Sequence, residues 1–285
     1  MVVSMDWVWT DIQIRRLKEL NAATDDLRGC FKDDHDRNRA FQDLEKQLVR
    51  KERERLNALL DDQLRPRLCI LENHLIAALN SEGFTQVTTP TIISQNDLSR
   101  MSIDKKHPFN DQIYWVDSKR CLRPMLAPSL YRLMKDLARI RTGGTIRIFE
   151  VGSCFRKETG GARHTSEFTM LNLVEMRVPM DARKARIQEL SEVIMKVAGI
   201  GAYCLMGESS EVYDETIDVV CGAHKLEVAS CAMGPHPLDD AWGIVDTWVG
   251  LGFGLERLLM AREGGHSIGK WCKSSSYLDG IRLTL

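Results

Sequence analysis

Two segments of the 285-residue chain have the composition of an anion-binding site. In the first, Phe155-Arg156-Lys157-Glu158 precedes a turn-forming stretch, Thr159–Arg163, and then His164-Thr165-Ser166-Glu167-Phe168. Read as a hairpin, this sets an arginine at the end of one strand across from an aromatic residue at the start of the next. The guanidinium offers a planar fork of donors to a phosphate and the ring offers a flat face to a base, so the pair can clamp a nucleotide. A surface Arg–Glu pair beside a core phenylalanine fits these letters equally well. The second segment is Gly250-Leu251-Gly252-Phe253-Gly254-Leu255-Glu256-Arg257-Leu258-Leu259-Met260. Its alternate glycines clear one face of a strand for a ligand, and Arg257 falls in the first turn of the helix that follows. It is not G-x-G-x-x-G, which needs Gly at 255, nor a P-loop, because no Gly-Lys-Ser/Thr follows.

The elements that must position these residues are legible in outline. Thr10 with Gln13 forms a capping-box pattern ahead of Ile14, Leu17 and Leu20, which predicts a short helix. Phe41, Leu44, Leu48, Leu56 and Leu59 predict a longer amphipathic one, its solvated face carrying the charge run Arg50–Arg55. Residues 1–64 therefore read as a helical appendage, and 65–285 as the main domain. Leu68, Leu71, Leu75 and Leu79 lie on one helical face that Gly83 ends. A β-rich run, Phe84–Ile93, is interrupted by Pro90, which suits a sheet edge or an interface. Strand character follows at Gln112–Val116, Thr145–Val151, Phe168–Met176, Asp218–Val220 and Leu226–Met233. A hairpin-length link, Cys221–Lys225, joins the last two. These segments predict an α+β fold, an antiparallel β-sheet flanked by helices. On the strand from Phe168, period-two alternation places Met170, Asn172, Val174 and Met176 on one face, where Asn172 is the odd polar member.

Composition excludes several classes. With 39 Lys+Arg against 40 Asp+Glu, 44 % hydrophobic and 28 % charged residues, the chain has an ordinary globular profile. Near-neutrality argues against coating nucleic acid through bulk positive charge, so any such contact must be local. The longest apolar stretch, Leu68–Leu79, is broken by Glu72, Asn73 and His74 and is too short for a bilayer span. The amino terminus lacks the pattern of a secretory signal, and a cytoplasmic location is expected. The eight cysteines are never closer than Cys221 and Cys231, which is not zinc-knuckle spacing; reduced, mostly buried thiols are expected.

Together with Phe84-Thr85-Gln86-Val87-Thr88-Thr89-Pro90, the two chemical segments resemble, in order, the three signature motifs of class II aminoacyl-tRNA synthetases. The closer similarity is to the pyrrolysyl branch of that family. It runs from Trp7 to the carboxyl terminus. Its most specific pieces are Cys121-Leu122-Arg123-Pro124-Met125-Leu126-Ala127-Pro128, Phe168-Thr169-Met170-Leu171-Asn172-Leu173, Tyr213 to Asp218, and Trp248 to Arg257. The chain is similar to the catalytic subunit of the bacterial branch, in which a small tRNA-binding domain is a separate polypeptide.

The resemblance implies the class II catalytic fold and ATP-dependent adenylation of pyrrolysine, or of a bulky Nε-acyl lysine, for transfer to the 3′ end of amber-suppressor tRNA(Pyl). It implies that Arg156 holds the α-phosphate and the amino-acid carboxylate, and that Arg257 grips the γ-phosphate of a bent ATP. Phe168 would stack on adenine, with Glu158, His164 and Thr165 around the nucleotide. Glu227 and Ser230 match the family's Mg2+-linked positions. They are three apart and so on opposite faces of a regular strand; a bulge or twist must bring both to the metal. Asn172 would lie at the floor of the amino-acid pocket and bond the substrate's side-chain amide carbonyl. Around it would stand Ala127, Leu130, Tyr131, Met134, Val174, Ala232, Trp248 and Gly250, with Tyr213 on a lid.

These pocket positions include no carboxylate, so a lysine ammonium buried there would lack a counter-charge, at a cost of several kcal/mol. A neutral, bulky lysine derivative is expected, with free lysine excluded. The sequence departs from the family at His164-Thr165-Ser166-Glu167, where His-Leu-x-Glu is usual, and at Ser129, where asparagine often follows Ala-Pro. A homodimer through the first motif and a separate tRNA-binding partner are further implications. Two alternatives keep the fold: a ligase serving a non-tRNA acceptor, and a silent regulatory paralogue, against which Arg156, Glu158, Glu227 and Arg257 speak.

Overall fold

The computed structural model of the chain describes residues 7–157, 165–210, 212, 214–222, 225–264 and 267–285. The chain divides between Pro66 and Arg67 into two compact units, and Ser274–Leu285 belongs with the N-terminal one.

The N-terminal unit is helical. Helix α1 (Asp11–Glu19) starts at the expected capping box: Gln13 N donates to Thr10 Oγ1 at 3.2 Å, and Thr10 N donates to Gln13 Oε1 at 3.0 Å. Helix α2 (Asp34–Ala58) is capped by Asp33, whose side chain accepts from Asp36 N, and it ends in a π turn over Leu59–Gln63. Trp9, Leu17, Leu20 and Leu48 form the core of this unit. A hairpin of Tyr277–Leu278 and Ile281–Arg282 joins it. Asn21 Nδ2 donates both to the Gly280 carbonyl at 3.1 Å and to the buried carboxylate of Glu52 at 2.7 Å.

The second unit begins with α3 (Arg67–Ser81), which buries Leu71, Leu75 and Leu79 on one face and ends at Gly83, whose φ of +81° suits glycine. Then follow β1 (Thr85–Gln86), β2 (Ile92–Ser94), α4 (Gln95–Arg100), β3 (Arg120–Leu122), α5 (Ala127–Ile140), β4 (Ile146–Phe155), β5 (Glu167–Met176) and α6 (Arg183–Val197). The unit continues with β6 (Tyr203–Ser210), β7 (Asp214–Cys221), β8 (Leu226–Gly234), α7 (Leu238–Trp242), β9 (Trp248–Gly254) and α8 (Leu255–Glu263). Among the described residues the main sheet has seven strands in the order β1-β4-β5-β9-β8-β7-β6. All its pairings are antiparallel except β1 with β4. The expected α+β architecture is therefore present, with one parallel edge strand.

Two local expectations are corrected. The run Phe84–Ile93 is not one strand: β1 pairs over two residues, and the N–H and hydroxyl of Thr89 turn instead to the Glu150 carboxylate, at 3.1 and 2.6 Å. Pro90, with no N–H to give, then separates it from β2, which pairs with β3 in a small second sheet. Nor is Gln112–Val116 a strand. His107 caps a 3-10 turn over Pro108–Gln112, and beyond it only Trp115 makes an isolated bridge, to Cys121. Strand β6 was not expected; it is a sheet edge, and its residues are mostly exposed or half-buried, so the alternation that signals a strand is weak.

Directly paired residues share a sheet face, which explains the position of the core. Leu171, Leu173, Leu251, Phe253 and Ala229 point to one side, into a core completed by α3, α6 and α8. Met170, Asn172, Val174 and the three alternate glycines of β9 share the other side.

Candidate active site

That second face floors a cavity of about 410 Å3. One row across the sheet sets its middle: Asn172 pairs with Gly252, Gly252 with Ser230, and Ser230 with Asp218. The next row pairs Val174 with Gly250 and Gly250 with Ala232. Asn172 is half-buried against this floor.

At one end, Arg156 lies just beyond β4, where its backbone N–H donates to Ser166 O at 3.0 Å. Its Nε donates to Pro124 O at 2.9 Å, and its guanidinium carbon is 5.1 Å from the centroids of both Phe168 and Phe109. The charge thus lies against two rings, each able to stabilise it by a cation–π contact. Phe109 comes from the 3-10 turn before β3; nothing in its sequence spacing marks it. Thr165 also lines this end. Glu158, His164 and the stretch Thr159–Arg163 lie outside the described residues, as does Tyr213.

Beneath Arg156, the segment after β3 is fixed by Arg123, which is 4 % exposed. Arg123 pairs with Glu150 at 2.7 Å and donates to Thr89 Oγ1 and to Ser153 O at 3.1 and 2.8 Å. Phe155 N donates to Arg123 O at 3.0 Å. Two consecutive carbonyls, of Arg123 and Pro124, therefore dock the end of β4 and the Arg156 side chain.

Arg257, in the first turn of α8, points into the cavity, and its Nη1 is 3.3 Å from the Glu227 carboxylate and 3.2 Å from the Glu227 carbonyl. The β7–β8 register slips between Val219 and Val220, which pair with Ala229 and Glu227. Val228 is the extra residue of a bulge, and the slip places Glu227 on the cavity face with Ser230. This is the irregularity that their spacing demands. Glu227 and Ser230 thus put a carboxylate and a hydroxyl on the cavity face, oxygen donors of the kind that could hold Mg2+ sharing its shell with water and phosphate.

The other end of the cavity is apolar. Ala127, Leu130, Tyr131 and Met134 of α5 meet Val174, Ala232 and Trp248. Tyr131 packs edge-on against Trp248, with centroids 5.6 Å apart. None of these residues is acidic, but the cavity as a whole is not free of carboxylates: Asp218, Glu227 and Glu256 line it too. Glu256, 1 % exposed, accepts from Thr169 N at 2.8 and 3.0 Å, and burial pushes its carboxyl up to about 7.

Arg156 and Phe168 of one hairpin and the distant Arg257 thus face one cavity on an antiparallel sheet, the arrangement of a class II synthetase core. Residues 65–275 match the family model described as the tRNA synthetases class II core domain (F), and the chain belongs to this family. Among solved structures it is similar to a crystal structure of pyrrolysyl-tRNA synthetase from Desulfitobacterium hafniense, with 49 % identity over 98 % of this chain and 99 % of that one, TM-score 0.91. A second structure of the D. hafniense enzyme gives 46 % identity over 100 % of both chains, TM-score 0.90. Within class II, the chain is thus a member of the pyrrolysyl-tRNA synthetase group. A lysine–tRNA ligase of Ectopseudomonas mendocina (strain ymp) is 31 % identical over 126 residues, 43 % of this chain and 23 % of the relative. The match thus spans about a quarter of that curated protein.

Proposed function

We propose that the chain activates pyrrolysine, or a lysine bearing a bulky neutral Nε-acyl group, and transfers it to the 3′ end of amber-suppressor tRNA(Pyl). The observation that carries this reading is one amide, Asn172, on the floor of a cavity whose one end is apolar and whose other end holds Arg156, Phe168 and Arg257. An Nε-acyl lysine has the matching form: an aliphatic stem, one amide carbonyl to accept from Asn172, and an apolar cap for the end between Tyr131 and Trp248.

In the first step a carboxylate oxygen of the amino acid attacks the α-phosphorus of ATP and pyrophosphate leaves. Arg156 orients the two reacting groups and stabilises the charge that gathers on the α-phosphate; Arg257 holds the γ-phosphate in the bent form. Phe168 offers its ring to adenine. Glu227 and Ser230 would hold Mg2+, which when bound offsets phosphate charge. In the second step the terminal ribose hydroxyl of the tRNA attacks the activated carbonyl and AMP leaves. No protein nucleophile is needed. Glu158 and His164 complete the nucleotide site in this reading, and Tyr213 covers the amino acid.

ATP–pyrophosphate exchange with pyrrolysine, an Nε-carbamate lysine and lysine tests the reading, followed by charging of tRNA(Pyl). The likeness to lysine–tRNA ligases makes lysine the sharpest competitor; a preference for it would overturn the assignment. Exchange without tRNA charging would favour a ligase with another acceptor. The same reading includes a homodimer through residues 84–90, a cytoplasmic enzyme, and a helical region, 1–64, that shares tRNA binding with a separate small basic protein. No helix among the described residues is long and apolar enough to cross a membrane. An RNA gel shift with and without that helper checks the last point, and equal binding in both would count against it.

A further inference from the structure

The two aromatic walls of the apolar cavity end rest on one short helix that is not itself part of the cavity lining. Trp248 Nε1 donates to both carboxylate oxygens of Asp239, at 3.0 and 3.1 Å, from inside the protein. Asp239 is 5 % exposed, and His236 N donates to its Oδ2 at 2.8 Å. Three residues further along α7, Trp242 stacks on Tyr131 with centroids 5.5 Å apart and planes at 18°. Arg100 of α4 covers the Trp242 ring at 5.2 Å. Gly234, paired with Trp248 in the β8–β9 ladder, leaves the space the indole occupies: a Cβ there would fall 1.9 Å from Trp248 Nε1.

We propose that Asp239 is a positioning residue for amino-acid selectivity: its carboxylate fixes the Trp248 indole plane and so sets the shape of the pocket wall facing the substrate's Nε cap. An indole has a single N–H, and an acceptor for it inside an apolar cluster determines the ring's rotation about its side-chain bonds. A buried carboxylate is a costly way to supply that acceptor, which agrees with the upward push that burial gives the Asp239 carboxyl. Without the acceptor, the ring is held by packing alone, and Tyr131, which meets it edge-on, loses a fixed partner. The inference rests on the amino-acid pocket proposed above.

The test uses the full chain and two substrates that differ only in cap size, a small and a large Nε-carbamate lysine. Asp239→Leu is expected to raise the KM for the large substrate at least tenfold and to change the ratio of the two KM values, with the KM for ATP within twofold. Asp239→Asn, which keeps an acceptor oxygen, is expected to stay within threefold of the parent. In a Trp248→Phe background, Asp239→Leu should add less than twofold. Parallel rises in both substrates' and ATP's KM, an unchanged amino-acid KM, or a full effect in the Trp248→Phe background would each overturn the proposal. Gly234→Ala, whose Cβ would meet the same Nε1 edge of the indole and displace it from Asp239, should give the same amino-acid signature if Asp239→Leu is not recovered folded; an unchanged KM there also overturns it. The Trp248 indole N–H resonance, read by 15N NMR without substrate, should be protected from solvent exchange in the parent and in Asp239→Asn, and lose protection in Asp239→Leu. That separates the two ideas: a parent inactive on every lysine derivative defeats the proposed function, whereas an indole indifferent to Asp239 defeats this one.

Discussion

Gly252 stands directly opposite Asn172 in the β5–β9 ladder, and a Cβ on it would lie 2.7 Å from Asn172 Oδ1 and 3.2 Å from Met170 Cε. The glycine is therefore the room into which the floor amide extends. Gly252→Ala should rotate the amide away and raise the amino-acid KM about tenfold or more, by loss of one buried hydrogen bond to substrate. Steady-state exchange kinetics measure it. Thermal unfolding should shift little, because the added methyl meets a side chain and not backbone.

Arg123 and Glu150 form a nearly fully buried pair, 5 % and 3 % exposed in their side chains. Replacing one partner leaves the other charged and unpaired, so Arg123→Met should cost about 3–5 kcal/mol in urea denaturation. Arg123→Met with Glu150→Leu should recover part of that stability. It should not recover exchange activity, since Thr89 and the segment that docks Arg156 lose their anchor.

Phe109 lies as close to the Arg156 guanidinium as Phe168 does, each ring centroid 5.1 Å from its central carbon. Phe109→Leu keeps an apolar side chain but removes one ring, worth about 0.5–1 kcal/mol where the charge is part-exposed. The kcat/KM for exchange should fall about two- to fivefold by that energy, with ATP and amino acid affected alike if Arg156 serves both as proposed.

Burial raises the Glu256 carboxyl to about 7, above the roughly 4.3 expected when unfolded. A group raised in the folded state stabilises fully below its unfolded value, and this stabilisation is lost as pH climbs through the folded value. The parent should therefore lose stability between about pH 4.5 and 7.5, by on the order of 3 kcal/mol from this group. Glu256→Gln should flatten that slope. Urea midpoints at pH 5 and 7.5 decide it; equal slopes in the two proteins would refute the assignment.

Local signals were legible where one interaction dominates. The Thr10–Gln13 box, the leucines of α3 and the alternation from Phe168 to Met176 each encode their element within a few residues. Spacing even anticipated an irregularity, because Glu227 and Ser230 can share a face only across a bulge, and Val228 provides it. Sites built from distant pieces left less trace. Phe109 sits 47 residues before Arg156, in a turn whose Pro108 and His107 override the apparent strand pattern after it. Asp239 has nothing in its spacing to mark it, because the Trp248 indole that donates to its carboxylate lies nine residues on, in strand β9. Strand β6, with one free edge and few buried positions, had no apolar alternation to announce it.

The hairpin after Ser274 packs with helices that precede Pro66. During synthesis those helices emerge first, yet the last layer of their small core is encoded after the whole of residues 67–273. The helical unit therefore has to wait, incomplete, while the sheet unit is translated. Its assembly is a late event with high contact order, slow compared with the local folding its α-helical content suggests.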